Sequence, residues 1–476
     1  MRRAFGLLLP LVLLVSVPAG VPSQPLAAAP ASSHPGAWTE PFPLPVIGIH
    51  AQVLPQGDVL LFGFPEGHGM NVRRWDPETG GVSDVHLARR HDLFCAGHSL
   101  LPDGRVLITG GTKWHAHGEQ GTRQNAMFDP SSSTWPRVPS LHDARWYPSN
   151  VTLPDGRVLI FSGQRNERHV TRTVEVYDPA TGRVSLLPDS ANRFLDLYPR
   201  MHLLPDGRLF YAGPRPRSAF FDPVTSTWQG ADAMGYQGRW AGSSVLLPGL
   251  DRVLTVGGSR NKRPTNTAEI IDLSAPEPEW RFTASMTHAR NNANAVLLPD
   301  GTVLVLGGGQ RGDFNGLVRQ PELFDPVSET WTPLASQRGG RAYHASAVLL
   351  PDGRVLSVGM NHGRFQRTGE IYSPPYLFRG PRPVIDEAPA QIGYGTPFSL
   401  ATQDTDVARV ALVRPGSATH GVDFEQRIVD LPFVEGPGGL SVTGPADPRM
   451  APPGHYMVFL VDQAGVPSVA AWTHLT

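Results

Sequence analysis

The 476-residue chain carries 51 glycines and 48 prolines, about a fifth of its length, with 40 % hydrophobic and 17 % charged residues. Such frequent Pro and Gly interrupt the 3.6-residue helical pattern, which excludes long helices and predicts a turn-rich all-β protein. A net charge of −1 removes any strong pull toward nucleic acid or anionic membrane, and a single cysteine, Cys95, excludes an internal disulfide.

At the N-terminus, Met1–Arg2–Arg3, the apolar run Phe5–Val17 and the small residues Ala27–Ala29 have the layout of an export signal over residues 1–30. The arginine pair is compatible with twin-arginine export. The apolar run is short for a permanent span, so no stable membrane insertion is expected and the mature protein is expected to be secreted or extracytoplasmic.

From Leu54 onward one pattern recurs. Leu-Pro-Asp-Gly-Arg followed by an apolar pair begins at Leu101, Leu153, Leu204 and Leu350, with variants at Leu54, Leu247 and Leu298. The spacings of 47, 52, 51, 43, 51 and 52 residues match the period of kelch propeller blades. Each Pro-Asp-Gly is a tight turn: Pro fixes φ, Asp bonds the backbone ahead, and Gly tolerates positive φ. Later in the units come aromatic-Asp-Pro corners at Trp75–Pro77, Phe128–Pro130, Tyr177–Pro179, Phe221–Pro223 and Phe324–Pro326. Four strands per unit and seven units predict a seven-bladed β-propeller over residues 31–378. After the proline-rich connector, residues 379–476 alternate apolar and polar residues in short runs, as expected of a small immunoglobulin-like β-sandwich.

Six residues before each Leu-Pro lies one equivalent position per unit: Gly48, Cys95, Tyr147, Tyr198, Ala241, Asn292 and His344. That position opens the strand expected nearest the propeller axis, so a thiol, phenols and an imidazole converge there. Tyr343 sits one residue earlier, in phase with Trp146 and Trp240. Taken singly, each has a plain structural reading: a buried inert thiol, a core aromatic, a hydrogen-bonded histidine. Their coincidence at one phase is what points to chemistry.

The segments Phe94-Cys95-Ala96-Gly97, Arg145-Trp146-Tyr147-Pro148, Arg341-Ala342-Tyr343-His344 and Ala418-Thr419-His420, with Gln426-Arg427 and Gly465–Val469 downstream, resemble the copper-radical oxidases, galactose oxidase and glyoxal oxidase. Trp146-Tyr147-Pro148 is closer to the glyoxal oxidase branch. The resemblance implies a thioether between Cys95 and Tyr147, one copper ion ligated by Tyr147, Tyr343, His344 and His420, and a radical cofactor made from the protein itself. Imidazole and phenolate suit Cu(II). The implied reaction oxidises a hydrated aldehyde or primary alcohol and reduces O₂ to H₂O₂, in a monomer that needs no nicotinamide or flavin. Substrates are expected to be small, including carbohydrate-derived ones.

The chain departs from galactose oxidase where an indole stacks over the cross-linked ring: Arg165 stands there, and Trp240 is the alternative cover by phase. His115 and His117 have chelating spacing in a Gly-rich loop and read first as loop. His91-Asp92 and His142-Asp143 suit surface or supporting roles. The competing reading of the whole is a non-catalytic kelch propeller that binds glycans or protein partners.

Overall fold

A computed structural model describes residues 34–66, 69–87, 90–113, 120–361 and 367–476 of the protein. The export segment at 1–30 and the His115–His117 pair lie outside the described residues. Within them the chain is all-β: strands and turns alternate throughout, and the helical elements are two short 3-10 turns, Asp189–Ala191 and Pro375–Phe378. No helix among the described residues is long and apolar enough to cross a membrane.

The repeated turns close as their residues dictate. The Gly104 N–H donates to the Leu101 carbonyl at 2.9 Å and the Leu101 N–H to the Arg105 carbonyl at 2.8 Å. Asp103 Oδ1 accepts the Arg105 amide at 3.1 Å, and Gly104 takes φ 84°, where a side chain is disfavoured. The same aspartate bond recurs at Asp155, Asp206, Asp300 and Asp352. In the aromatic-Asp-Pro corners, Asp76, Asp129, Asp178, Asp222 and Asp325 each accept the amide two residues ahead at 2.8–2.9 Å. Both punctuation marks are therefore Asx turns, which satisfy backbone donors that the strands leave over.

The turns organise successive antiparallel sheets. The first contains His50–Val53, Val59–Glu66, Gly69–Trp75 and Val82–Asp84. Gly97–Leu100, Val106–Thr109 and Asn125–Phe128 form the second. Four-stranded sheets then begin at Ser149, Met201, Ser243 and Asn291. A seventh joins Ala345–Leu349, Val355–Gly359 and Thr368–Ser373, and takes its outer strand from the other end of the chain: Ala37 and Trp38 pair with Ser373 and Tyr372. First strands of most neighbouring sheets lie side by side, and 345–349 lies beside 50–53. Their apolar residues, such as Val151, Val245, Val296 and Val348, are buried between sheets.

Beyond residue 390 the strands form a five-stranded sheet, from Gln391–Ile392 to Ala471–Leu475, and a three-stranded sheet of Pro397–Ala401, Phe433–Gly436 and Gly439–Thr443. Leu400, Val410, Leu412, Leu440 and Val458 share an apolar cluster with Phe210 and Leu246 of the repeats. One hairpin leaves this region: Ser417–Thr419 pairs with His50–Val53 of the first sheet, Thr419 opposite His50. That excursion carries His420 into the middle of the repeats.

Candidate metal centre

The phase read from the repeats marks a backbone feature. Cys95, Tyr147, Tyr198, Ala241, Asn292 and His344 all adopt left-handed φ, between 45° and 65°, and His420 joins them at 51°. The Tyr147 amide donates to the Cys95 carbonyl at 2.8 Å, Tyr198 to Tyr147 at 2.9 Å, and Asn292 to Ala241 at 2.7 Å. One residue per unit thus leaves the strand geometry, and in three units its amide bonds its counterpart in the unit before. Non-glycine residues in this region carry strain, which functional sites characteristically hold.

The side chains meet as a compact cluster. The rings of Tyr343 and His344 stack at 3.8 Å, His344 and His420 stand edge-on at 4.7 Å, and His420 lies 5.2 Å from Tyr147 and 5.3 Å from Tyr343. The Tyr147 and Tyr343 hydroxyls are in hydrogen-bond contact. Cys95 Sγ is 3.4 Å from His420 Nε2 and 4.0 Å from His344 Nε2. Cys95, Tyr147, His344 and His420 are all buried. After His420 the chain turns at Gly421, φ 75°, where a Cβ would come within 2.3 Å of the Ala293 carbonyl oxygen.

Burial sets the charge state. It holds His420 well below the ordinary imidazole value and His344 down at about 4, so both rings are neutral with lone pairs available. His420 Nδ1 is 2.6 Å from Thr419 Oγ1, which leaves Nε2 facing the cluster. Burial likewise raises the Cys95 thiol and the Tyr147 phenol well above their usual values. Two neutral imidazoles and two phenols, able to become phenolates at a cation, form a donor set that fits Cu(II). Among the described residues, Cys95, His344 and His420 also form a cluster dense enough to hold a metal ion.

A cavity of about 250 Å³ opens onto this cluster, lined in part by Tyr147, Tyr343 and His420, with Gln164, Arg200 and Asp313 as polar walls. The indole against Tyr147 is Trp146, its neighbour in sequence, edge-on at 4.7 Å. Tyr198 approaches from the next unit at 4.9 Å, also edge-on. Trp240 lines the same cavity with half its surface exposed. His91 bonds the Gly110 carbonyl at 2.8 Å, and His142 Nδ1 lies 3.0 Å from Glu175 Oε2; both are structural ties away from the cluster.

Sequence reasoning missed a second recurring device. Arg145, Arg239, Arg290 and Arg341, two or three residues before the phase position, are fully or almost fully buried and face Glu175, Glu269, Glu322 and Glu370 at 3.0, 3.3, 2.6 and 3.6 Å. Each arginine also donates to a main-chain carbonyl at or near the end of the second strand, at Ser162, Gly257, Gly307 or Gly359. The signal was an arginine two or three residues before the phase position, hidden among many other arginines.

Residues 74–375 match the glyoxal oxidase N-terminus model and residues 382–475 the galactose oxidase-like early set domain. The chain is 29 % identical to a galactose oxidase of Gibberella zeae, over 93 % of this chain and 71 % of that protein. It is 31 % identical to an aldehyde oxidase of Vitis pseudoreticulata, over 81 % and 82 %. A solved structure of a fungal alcohol oxidase in complex with copper superposes with a TM-score of 0.82 at 26 % identity, covering 93 % of this chain and all of that one. The chain therefore belongs to the glyoxal oxidase and galactose oxidase family of copper-radical oxidases.

Proposed function

We propose that the protein oxidises small aldehydes, as their hydrates, or primary alcohols, passing the electrons to O₂ to give H₂O₂, with glyoxal-like aldehydes preferred over galactose. The observation that carries this reading is the convergence of Cys95, Tyr147, Tyr343, His344 and His420 in one cluster beside a cavity that Tyr147, Tyr343 and His420 line. Tyr147, Tyr343, His344 and His420 would hold the copper, and Cys95 would join the Tyr147 ring as a thioether. Copper supplies Lewis acidity toward the substrate oxygen and one of the two oxidising equivalents.

The chain's own residues do the rest. The oxygen of Tyr343, in contact with that of Tyr147, accepts the substrate hydroxyl proton as general base once it is held as a phenolate at the cation. A sulfur substituent makes the Tyr147 ring easier to oxidise by one electron, so it can take a hydrogen atom from the substrate carbon. Trp146 and Tyr198, edge-on to Tyr147, exclude water from that ring, and Trp240 shapes the mouth. Across one turnover the substrate loses two protons and two electrons, and O₂ gains them.

The same reading extends to architecture. The seven repeat sheets are the blades of a propeller over residues 31–378, its ring closed by the Ala37–Trp38 strand on the seventh sheet. Residues 379–476 form a β-sandwich that contributes His420, and residues 1–30 direct export of a monomer. A binding-only propeller has no use for this donor set. The test is a peroxide-coupled screen of the copper-loaded protein over glyoxal-like aldehydes, primary alcohols and galactose. Peroxide is expected from the first two classes; none from any class would overturn the assignment.

A further inference from the structure

The amides at the phase positions Tyr147, Tyr198 and Asn292 bond a main-chain carbonyl of the unit before, and the Cys95 amide does not. Its counterpart in the first unit, Gly48, does not receive it. Instead the Cys95 N–H donates to the imidazole of His50, at Nε2 and 3.1 Å. An acceptor Nε2 requires the proton on Nδ1, and Nδ1 is buried with no hydrogen-bond partner among the described residues. A buried unpaired donor is costly, so an apolar residue at 50 would suit the core better were packing its only task. The ring is otherwise firmly held: it stacks on Phe62 at 4.3 Å, interplanar angle 3°. Its backbone pairs with Thr419, next to His420.

We infer that His50 is a positioning residue for cofactor formation: its Nε2 fixes the left-handed backbone of Cys95 so that the thiol faces the Tyr147 ring when the thioether forms. The inference rests on the copper-radical reading above. Formation of the thioether breaks the Cys95 S–H bond and one ring C–H bond of Tyr147 and makes one C–S bond. Two protons and two electrons leave, and O₂ takes them up as H₂O₂ in the presence of copper. His50 exchanges none of these; it holds the sulfur in register.

The test follows intact mass after Cu(II) is added in air to copper-free full-length protein, for wild type, His50→Phe and His50→Gln. Phe keeps the ring stacked on Phe62 without an acceptor; Gln restores an acceptor. Wild type is expected to lose the mass of two hydrogens, His50→Phe to do so about tenfold more slowly or more, as for other misplacements of reacting groups, and His50→Gln to recover most of the rate. Circular dichroism and copper stoichiometry are expected to stay at wild-type values in both variants. Equal rates in wild type and His50→Phe would overturn the role of His50. No mass loss in wild type would instead overturn the reading on which it rests. Should His50→Phe fail to fold, amide exchange in wild type decides: strong protection at Cys95 is expected, and exchange at the rate of an exposed loop contradicts the inference.

Discussion

Cys95 is buried against two imidazoles and its thiol is pushed well above its usual value. It is therefore a protonated sulfur at neutral pH, unlike the exposed low-pKa thiolates that react as nucleophiles. The oxidative coupling to Tyr147 proposed above needs no thiolate and suits such a sulfur. Cys95→Ser is expected to bind copper in the same stoichiometry yet show a more positive potential for oxidation of Tyr147, measured by redox titration of the radical absorbance. Tyr343→Phe removes the hydroxyl in contact with Tyr147 and is expected to lower kcat by about 10²- to 10⁴-fold, the usual contribution of a positioned general base. An unchanged kcat in steady-state peroxide assays would reassign the base. At this scale the sequence was informative because chemistry-bearing side chains are rare and the repeat placed Cys95, Tyr147, Tyr343 and His344, while His420, beyond the repeats, came from the resemblance alone. Phase suggested Trp240 as the cover for Tyr147, whereas the indole against that ring is Trp146; side-chain direction, which decides between them, is not carried by phase.

At the scale of elements, the turns were legible because Pro, Asp and Gly act through their own backbones; the five aspartate bonds in the Pro-Asp-Gly turns need no tertiary partner. The buried arginine–glutamate pairs were not, because partners about 30 residues apart in sequence meet only once the sheet has formed. Arg145 and Glu175 both have no exposed side-chain surface, and Glu175 also receives the His142 and Asp143 amides. Glu175→Gln leaves a buried guanidinium without its counter-charge and is expected to destabilise the protein by about 3–5 kcal/mol in urea titrations. It also loosens the segment that presents Trp146 and Tyr147. A loss below about 1 kcal/mol, typical of an exposed pair, would contradict this.

Across the whole molecule, the repeat period announced the sheet architecture, whereas two long-range pairings had no sequence signature. These are Ala37–Trp38 on Thr368–Ser373, and Ser417–Thr419 on His50–Val53. Both join segments more than 300 residues apart, and short strands of two or three residues carry no periodicity to read. The buried titratable groups give the molecule a pH response of definite sign. His50, His98, His202, His344 and His420 are all held below the ordinary value by burial. The folded state cannot take the protons that the unfolded chain binds below about pH 6.5, so each withdraws about 2 kcal/mol of stability between pH 7 and pH 5. Asp92 and Asp423, raised to about 6 by burial, act oppositely. They favour the fold as pH falls through 6, by about 1 kcal/mol each at pH 5. Five histidines outweigh two aspartates, so the copper-free protein is expected to melt at lower temperature at pH 5 than at pH 7. A higher melting temperature at pH 5 would mean that the histidines are charged in the fold.

The central claim is a covalent bond between two residues that stand 52 apart in sequence and occupy equivalent positions in neighbouring repeats. Tandem mass spectrometry of a proteolytic digest, after aerobic copper loading, tests it most directly. A branched peptide that joins Cys95 to Tyr147, lighter than its two parts by two hydrogens and resistant to reductant, is expected. Recovery of separate peptides, with Cys95 fully alkylated as a free thiol, would contradict it.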